Sequence, residues 1–312
     1  MKKYLSKIIT LLFLLLFLIY FLFNIEDFEI ILNLNPLYTL AIGLLQLSVI
    51  FVNALFFIII LKHFKVKINF KESVLVSILT SIGNYFTPFH GGAGVRAVYL
   101  KKNYKLTYTS FLSTLTGNYI IIFFVNSLIA LVGLIILQSQ GLNPSIVLFL
   151  FFSILVLILF SIILFPISEK LIPSSKAQVL NSYLKKIKVI INGWDKLASN
   201  KKSIIKLTGV TLLNSALGII LYYLEFRALG ITTDIARMTV FSGISSMTLL
   251  ISITPGSIGI RESVLLLFQN TLSLETNEIL SVSIIDRGVY FFVILISLLI
   301  TRLFKIKKVN ES

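Results

Sequence analysis

The sequence predicts an all-α polytopic membrane protein, with six full transmembrane helices plus two re-entrant helical hairpins set out as inverted-topology repeats. Three observations carry this expectation. The 312 residues are 57% hydrophobic and only 13% charged, with a mean hydropathy of +0.97; soluble domains run near 45–50% apolar and about 25% charged. Apolar runs long enough to cross a bilayer recur from one end of the chain to the other. Two further apolar regions are each broken midway by related segments, "TPFHGGAGVRAVYL" (87–100) and "TPGSIGIRES" (254–263). One membrane domain over residues 1–312 follows, with no soluble domain attached.

The elements come in this order. The N-terminal "MKKYLSKIITLLFLLLFLIYFLFNIEDFE" has the basic start and apolar core of a secretory signal. It lacks a small-x-small cleavage site and runs straight into Glu26, Asp27 and Glu29, so a retained span at 7–24 is expected. Further spans are expected at 37–61, 108–137, 145–167, 206–228 and 279–303. Regions 73–100 and 237–270 leave halves too short to cross once the Pro/Gly stretch is taken out. Backbone that leaves the helix at membrane depth survives only inside protein or beside a water-filled cavity. Each region is therefore drawn as a hairpin with a glycine-rich tip. Between the halves, 174–202 reads as an amphipathic helix: Leu180, Leu184, Ile187, Ile191, Trp194 and Leu197 advance by three or four, with lysines between. It suits an anionic cytoplasmic leaflet; packing on neighbouring spans explains the pattern as well.

Charge placement agrees with this threading. With the N-terminus in the cytoplasm, inside segments hold 24 of the 28 basic residues, and no lysine falls outside. Outer segments carry Glu26, Asp27, Glu29, Asp234, Glu275 and Glu278. The net charge of +15 is then a topology signal. A multi-pass protein of the cell membrane with both termini cytoplasmic is expected. No nucleic-acid partner is needed, because the basic residues lack the interleaved aromatics of a base-stacking platform. Cysteine is absent and histidine numbers two, which removes disulfides, thiolate metal sites and histidine metal clusters; no cofactor is expected.

The two broken segments align. Thr87-Pro88 and Gly92-Ala93-Gly94-Val95-Arg96 match Thr254-Pro255 and Gly256 to Arg261, with two extra residues in the first copy. Repeat 1 (37–137) and repeat 2 (206–303) then enter the membrane from opposite sides. Inverted repeats with broken helices are the architecture of secondary transporters, whose sites lie near the midplane. A half-helix starting after Gly94 or Gly259 would turn unpaired amides and a positive dipole end inward. Glycine permits close backbone approach, and arginine grips phosphate bidentately. Together they suit an anion.

An Arg or Asp at a helix centre costs roughly 2.5–3.5 kcal/mol. Arg96, Arg261, Glu262, Asp286 and Arg287 must therefore face the interior, either as functional groups or as internal locks such as Glu262 with Arg287 and Arg261 with Asp286. The candidate headgroup-binding set is Gly92, Gly94, Arg96, Pro255, Gly256, Gly259, Arg261, Glu262, Asp286 and Arg287. His90 reads as a hairpin-stabilising donor more than a proton relay. Asn84, Tyr85, Asn118 and Tyr119 could line a polar path or bond between helices. No HExxH, GxSxG or nucleotide-binding loop is present.

Three blocks, "NYFTPFHGGAGVRAVYLKKNYKLTYTSFLS" (84–113), "TPGSIGIRESVLLLF" (254–268) and "IIDRGVYFF" (284–292), give the chain a resemblance to a known family. It is similar to the stand-alone transmembrane flippase domain of lysylphosphatidylglycerol synthase/flippase proteins. That group also includes archaeal membrane proteins linked to dolichol-phosphate sugar pathways. Members commonly carry an acidic residue and an arginine in the span after the first hairpin, where this chain reads "TLTGNYI" (114–120). Ala93 and Val95 stand where an acidic residue is often found. Full-length synthases add a large soluble aminoacyl-transfer domain at the C-terminus, and this chain stops at Ser312. The resemblance implies lipid handling without aminoacylation chemistry. The expected function is movement or binding of an anionic or aminoacylated phospholipid, or of a polyprenyl-phosphate-linked lipid, by a protein that is not an enzyme. Two rivals are a lipid-modifying transferase and a non-transporting partner in a lipid or glycan synthesis complex. The expected partners are the lipid itself and, beyond it, a second copy of the chain or lipid and glycan synthesis enzymes.

Overall fold

A computed structural model describes residues 34–89, 91–165 and 178–303. The expected span at 7–24 and His90 lie outside the described residues. Within them the chain folds into eleven α-helices with no strand. Five are long and apolar enough to cross a membrane: α1 (Pro36–His63), α4 (Tyr108–Ser139), α5 (Ile146–Leu164), α7 (Lys201–Ala228) and α11 (Thr276–Leu303). Each begins or ends within a few residues of the expected spans. The chain is a multi-pass membrane protein.

Local chemistry sets the boundaries. The Asn35 side chain accepts from the Leu37 N–H at 2.9 Å and Pro36 opens α1, while Asn69, Thr107, Asn200 and Asp234 cap the helices that follow them. The 28 residues of α1 reach about 42 Å at 1.5 Å per residue, ample for a hydrocarbon core of about 30 Å. The first broken region is a helix pair, α2 (Phe70–Phe86) and α3 (Gly91–Tyr104). α2 stops because Pro88 holds Thr87 extended, at φ −121 and ψ 147. The two helices then meet at glycine: a Cβ on Gly83 would lie 2.6 Å from the Gly92 Cα, and one on Gly92 would lie 2.0 Å from the Thr80 carbonyl oxygen. This is the close backbone approach that small residues permit between membrane helices.

α3 thus starts at Gly91, four residues before the expected start after Gly94. The physical reason is that contact with α2 begins at Gly91 and Gly92, so the chain turns helical as soon as it clears Pro88.

The second broken region is longer. α8 (Ile235–Met247) runs into a 3-10 turn (Thr248–Leu250), an irregular stretch, a second 3-10 turn (Pro255–Ser257) and then α9 (Ile260–Leu267) and α10 (Gln269–Leu272). Gly256 at φ 57 and Gly259 at φ 80 supply the left-handed turns that let the backbone reverse there. The helix α6 (Gln178–Ala198) does not lie free on a surface. It packs on α4: Trp194 and Leu197 are buried, Leu197 presses on Gly117, and the Ser113 hydroxyl donates to the Val189 carbonyl at 3.3 Å. Lys185, Lys186 and Lys196 face outward.

Helix contacts come in matching pairs. α1 packs on α2 and α7 on α8; α4 packs on α8 and α11 on α2; α4 packs on α7 and α11 on α1. α1 also packs extensively on α7. Large apolar side chains remain exposed along α1, α4, α5 and α7, for example Leu40, Ile135, Leu157 and Leu213, as expected where lipid is the solvent.

Candidate functional site

The four charges of the second hairpin and α11 close on one another. Arg261 and Glu262 occupy the first turn of α9, and Asp286 and Arg287 lie in mid-α11. Their consecutive placement with the sign order reversed makes two facing pairs complementary. Arg261 Nη1 pairs with Asp286 Oδ2, and Arg287 Nη2 lies 2.6 Å from Glu262 Oε1. Arg261 Nε also approaches Glu262 Oε1 at 3.4 Å. All four side chains are at most 15% exposed, so charges that would be costly alone are compensated.

Neighbouring groups fix this square. The second oxygen of Glu262 accepts the Gly259 N–H at 2.8 Å, capping α9. Gln46 of α1 donates to the Asp286 carboxylate at 3.1 Å and to its carbonyl at 2.9 Å. The two breaks touch through the same residues. The Tyr85 hydroxyl, from the end of α2, donates to the Arg287 carbonyl at 3.3 Å, Arg287 Nη2 reaches the Ser257 carbonyl at 3.5 Å, and the 255–257 turn packs on α2.

The first tip is built differently. The Gly92 N–H is taken by Asn84 Oδ1 at 3.1 Å, so this amide is not open. Gly94 is exposed, with no atom within 4 Å of where a Cβ would stand. Arg96 points inward: its Nε donates to Thr80 Oγ1 at 3.3 Å and its guanidinium stacks over Phe57 at 4.4 Å from the ring centre. Among the described residues it has no carboxylate partner.

Between the two breaks lies a cavity of about 480 Å³, walled by α1, α2, α3, α4, α7, α8, the 3-10 turns, α9 and α11. Its lining is rich in amides and hydroxyls: Gln46, Asn53, Asn84, Asn118, Asn126 and Asn214, with Ser77, Thr80, Tyr119, Ser215 and Tyr222. Of the expected site residues, Arg96, Gly256, Arg261, Asp286 and Arg287 line it. Gly92, Gly94, Pro255, Gly259 and Glu262 do not. Gly92 serves helix packing, Gly259 the turn into α9, and Glu262 holds Arg287 from behind. Asn84, Tyr85, Asn118 and Tyr119, the candidates for a polar path, all stand at the wall.

Sequence reasoning missed Gln46, Asn53, Asn214 and Glu225. Each lies within an apolar run, and the rule that ionisable residues inside spans are functional candidates would have found Glu225. Glu225 is fully buried, lies against Asp286 and is within electrostatic reach of Arg261. No cluster of His, Cys, Asp and Glu among the described residues could hold a metal ion.

Comparison with known proteins adds one result. No curated protein and no solved structure matches the chain. The family model described as the lysylphosphatidylglycerol synthase TM region matches residues 7–297, which covers both breaks, the paired charges and the cavity. By that match, this chain belongs to the family of the lysylphosphatidylglycerol synthase transmembrane region.

Proposed function

We propose that the protein takes the headgroup of an anionic membrane lipid into the cavity between its two helix breaks and carries it from one leaflet to the other. The observation that carries this reading is the cavity itself: a space of about 480 Å³, open on one side, into which amide, hydroxyl and guanidinium side chains are set among apolar ones, between helices whose outer faces are apolar. Acyl chains would remain in the bilayer while the headgroup crosses.

Two features support alternating access. The matched contacts of α1, α2 and α4 with α7, α8 and α11 are those expected of two copies related by a pseudo-two-fold axis, the inverted repeat of secondary transporters. Leu250, Ile251, Ile253 and Ile258 are exposed around the second break, which suits a hairpin re-entering an apolar medium. The residues after α1 and α3, and all of α6, would then face the cytoplasm, and those after α4, α7 and α10 the outside.

The test is reconstitution. Purified protein in vesicles should change the sidedness of labelled anionic lipids. Gly218→Phe should abolish this while leaving thermal unfolding little changed, because Gly218 lines the cavity with only Ser242 within 4 Å of an added Cβ, at 3.7 Å. Folded wild-type protein that moves no lipid would overturn the proposal.

A further inference from the structure

The charges at the cavity balance only when a group behind its wall is counted. Arg96, Arg261, Arg287 and Asp286 line the cavity, and Glu262 holds Arg287 from behind. Glu225 adds a third carboxyl. It sits on α7 with no exposed surface, and its carboxyl lies against that of Asp286. Three guanidinium groups therefore stand with three carboxyls.

Glu225 differs from the other two carboxyls in what meets it. Asp286 has Arg261 and Gln46, and Glu262 has Arg287 and the Gly259 amide. Glu225 has no ion-pair partner among the described residues. Arg261, the cation within its electrostatic reach, is already paired with Asp286. The helices packed on α7 are α1, α4, α6, α8 and α11. Of these only α11 brings a charge to Glu225, the Asp286 carboxylate; α9 brings Arg261, and Tyr222 lies one turn back on α7 itself. Two carboxyls in contact, away from water and with one cation between them, do not both ionise cheaply, and such a pair shares a proton. The pair also has an outlet, because Asp286 and Tyr222 both stand at the cavity wall.

We infer that Glu225, with Asp286 against it, is a proton-binding site and that its proton travels with the lipid, which makes the protein a proton-coupled carrier. This rests on the reading of the cavity as a lipid headgroup site and adds what drives the movement. With the proton on Glu225, the six groups carry one positive charge in sum, and a headgroup bearing one phosphodiester charge restores neutrality. With the proton gone, the six groups are neutral, and the same headgroup leaves one negative charge uncompensated among buried side chains, which is strongly disfavoured. Proton and phosphodiester thus enter together and leave together, and no net charge crosses the membrane. On release the proton passes from Glu225 to the Asp286 carboxylate and from there to solvent in the opened cavity, leaving both carboxyls ionised. Since ionised Glu225 opposes the headgroup, affinity falls as pH rises.

The experiment follows labelled phosphatidylglycerol in phosphatidylcholine vesicles containing the full chain, with and without an imposed pH gradient and with a pH-sensitive dye inside. The gradient should drive the labelled lipid toward the alkaline side, a protonophore should abolish the drive, and lipid movement should acidify that side. In nanodiscs, phosphatidylglycerol binding should weaken with rising pH by up to about tenfold per pH unit, the slope of one linked proton. Glu225→Gln, which has no proton to lose, should flatten that profile and lose the response to the gradient, while Glu225→Asp should keep part of both. Lipid movement by the wild type that ignores the pH gradient would overturn the inference and leave lipid handling intact. A sodium gradient driving the lipid in its place would overturn it too, since the carboxyl pair would then hold a metal cation. An unchanged pH response in Glu225→Gln would remove Glu225 as the site. Failure of the wild type to move any lipid would remove the proposed function along with it. Should neither variant fold, the wild-type response to the gradient decides.

Discussion

Single residues set the cost of placing charge among these helices. Arg261, Glu262, Asp286 and Arg287 tolerate burial only as a set, since each cation faces an anion and the remaining oxygens take Gln46 and the Gly259 amide. Breaking one buried pair leaves its partner uncompensated, which is worse than removing both. Arg261→Ala should therefore destabilise the protein by about 3–5 kcal/mol, and Arg261→Ala with Asp286→Ala should recover a good part of that loss. Thermal unfolding of the wild type, both single variants and the double variant in detergent gives the coupling. Additive losses would mean the pair contributes nothing. Arg96 belongs to a different class: it has no partner to lose, so its replacement should alter what binds more than how well the protein folds.

At the scale of elements, the two breaks have unlike construction. The first is a tight pair in which α2 and α3 touch backbone to backbone at Gly83 and Gly92. The second is an extended irregular stretch whose turns depend on Gly256 and Gly259. A Cβ on Gly92 meets the Thr80 carbonyl at 2.0 Å, an obstacle that no side-chain rotation relieves. Gly92→Ala should therefore part α2 from α3 and cost about 1–3 kcal/mol, read as a lower melting temperature. Gly94→Ala, with open space around it, serves as the control and should cost much less. Equal effects would remove the packing role assigned to Gly92. The helix α6 makes a related point: its pattern fits a lipid surface and a protein surface equally, and Trp194 and Leu197 settle on α4 because Gly117 leaves room there.

For the whole molecule, the prediction concerns sidedness. The chain has no cysteine, so single cysteines can be introduced into an otherwise thiol-free protein. Lys67→Cys, Lys102→Cys and Ser199→Cys should react with a membrane-impermeant maleimide from the cytoplasmic side only. Gln140→Cys, Thr232→Cys and Glu275→Cys should react from the outer side only. Labelling of both α2–α3 and α8–α10 ends from one face would defeat the inverted arrangement, whatever the lipid. The matched helix contacts place α2 beside α11 and α8 beside α4, so each hairpin is held by a span of the other half. Motion of one half against the other would then change both walls of the cavity together.

Much of this was legible in the sequence. Membrane class, the spans at α1, α4, α5, α7 and α11, and the positions of both breaks follow from composition, run length and Pro/Gly punctuation, because lipid leaves the backbone few options and those are written in local chemistry. The repeated Thr-Pro and glycine segments also pointed to Arg96 and Arg261, and the cost of a charge at membrane depth pointed to Arg287. Tertiary structure alone decided which of those charges are spent on each other. Arg261 and Arg287 are neutralised by residues of another helix and Arg96 is not, a difference that no spacing along the chain encodes. It likewise decided that Gly92 packs and Gly94 does not, and it brought Gln46, Ser77 and Asn214, far apart in sequence, to the lining of one cavity. Distance in space is what sets an electrostatic balance, and only the packed helices fix it.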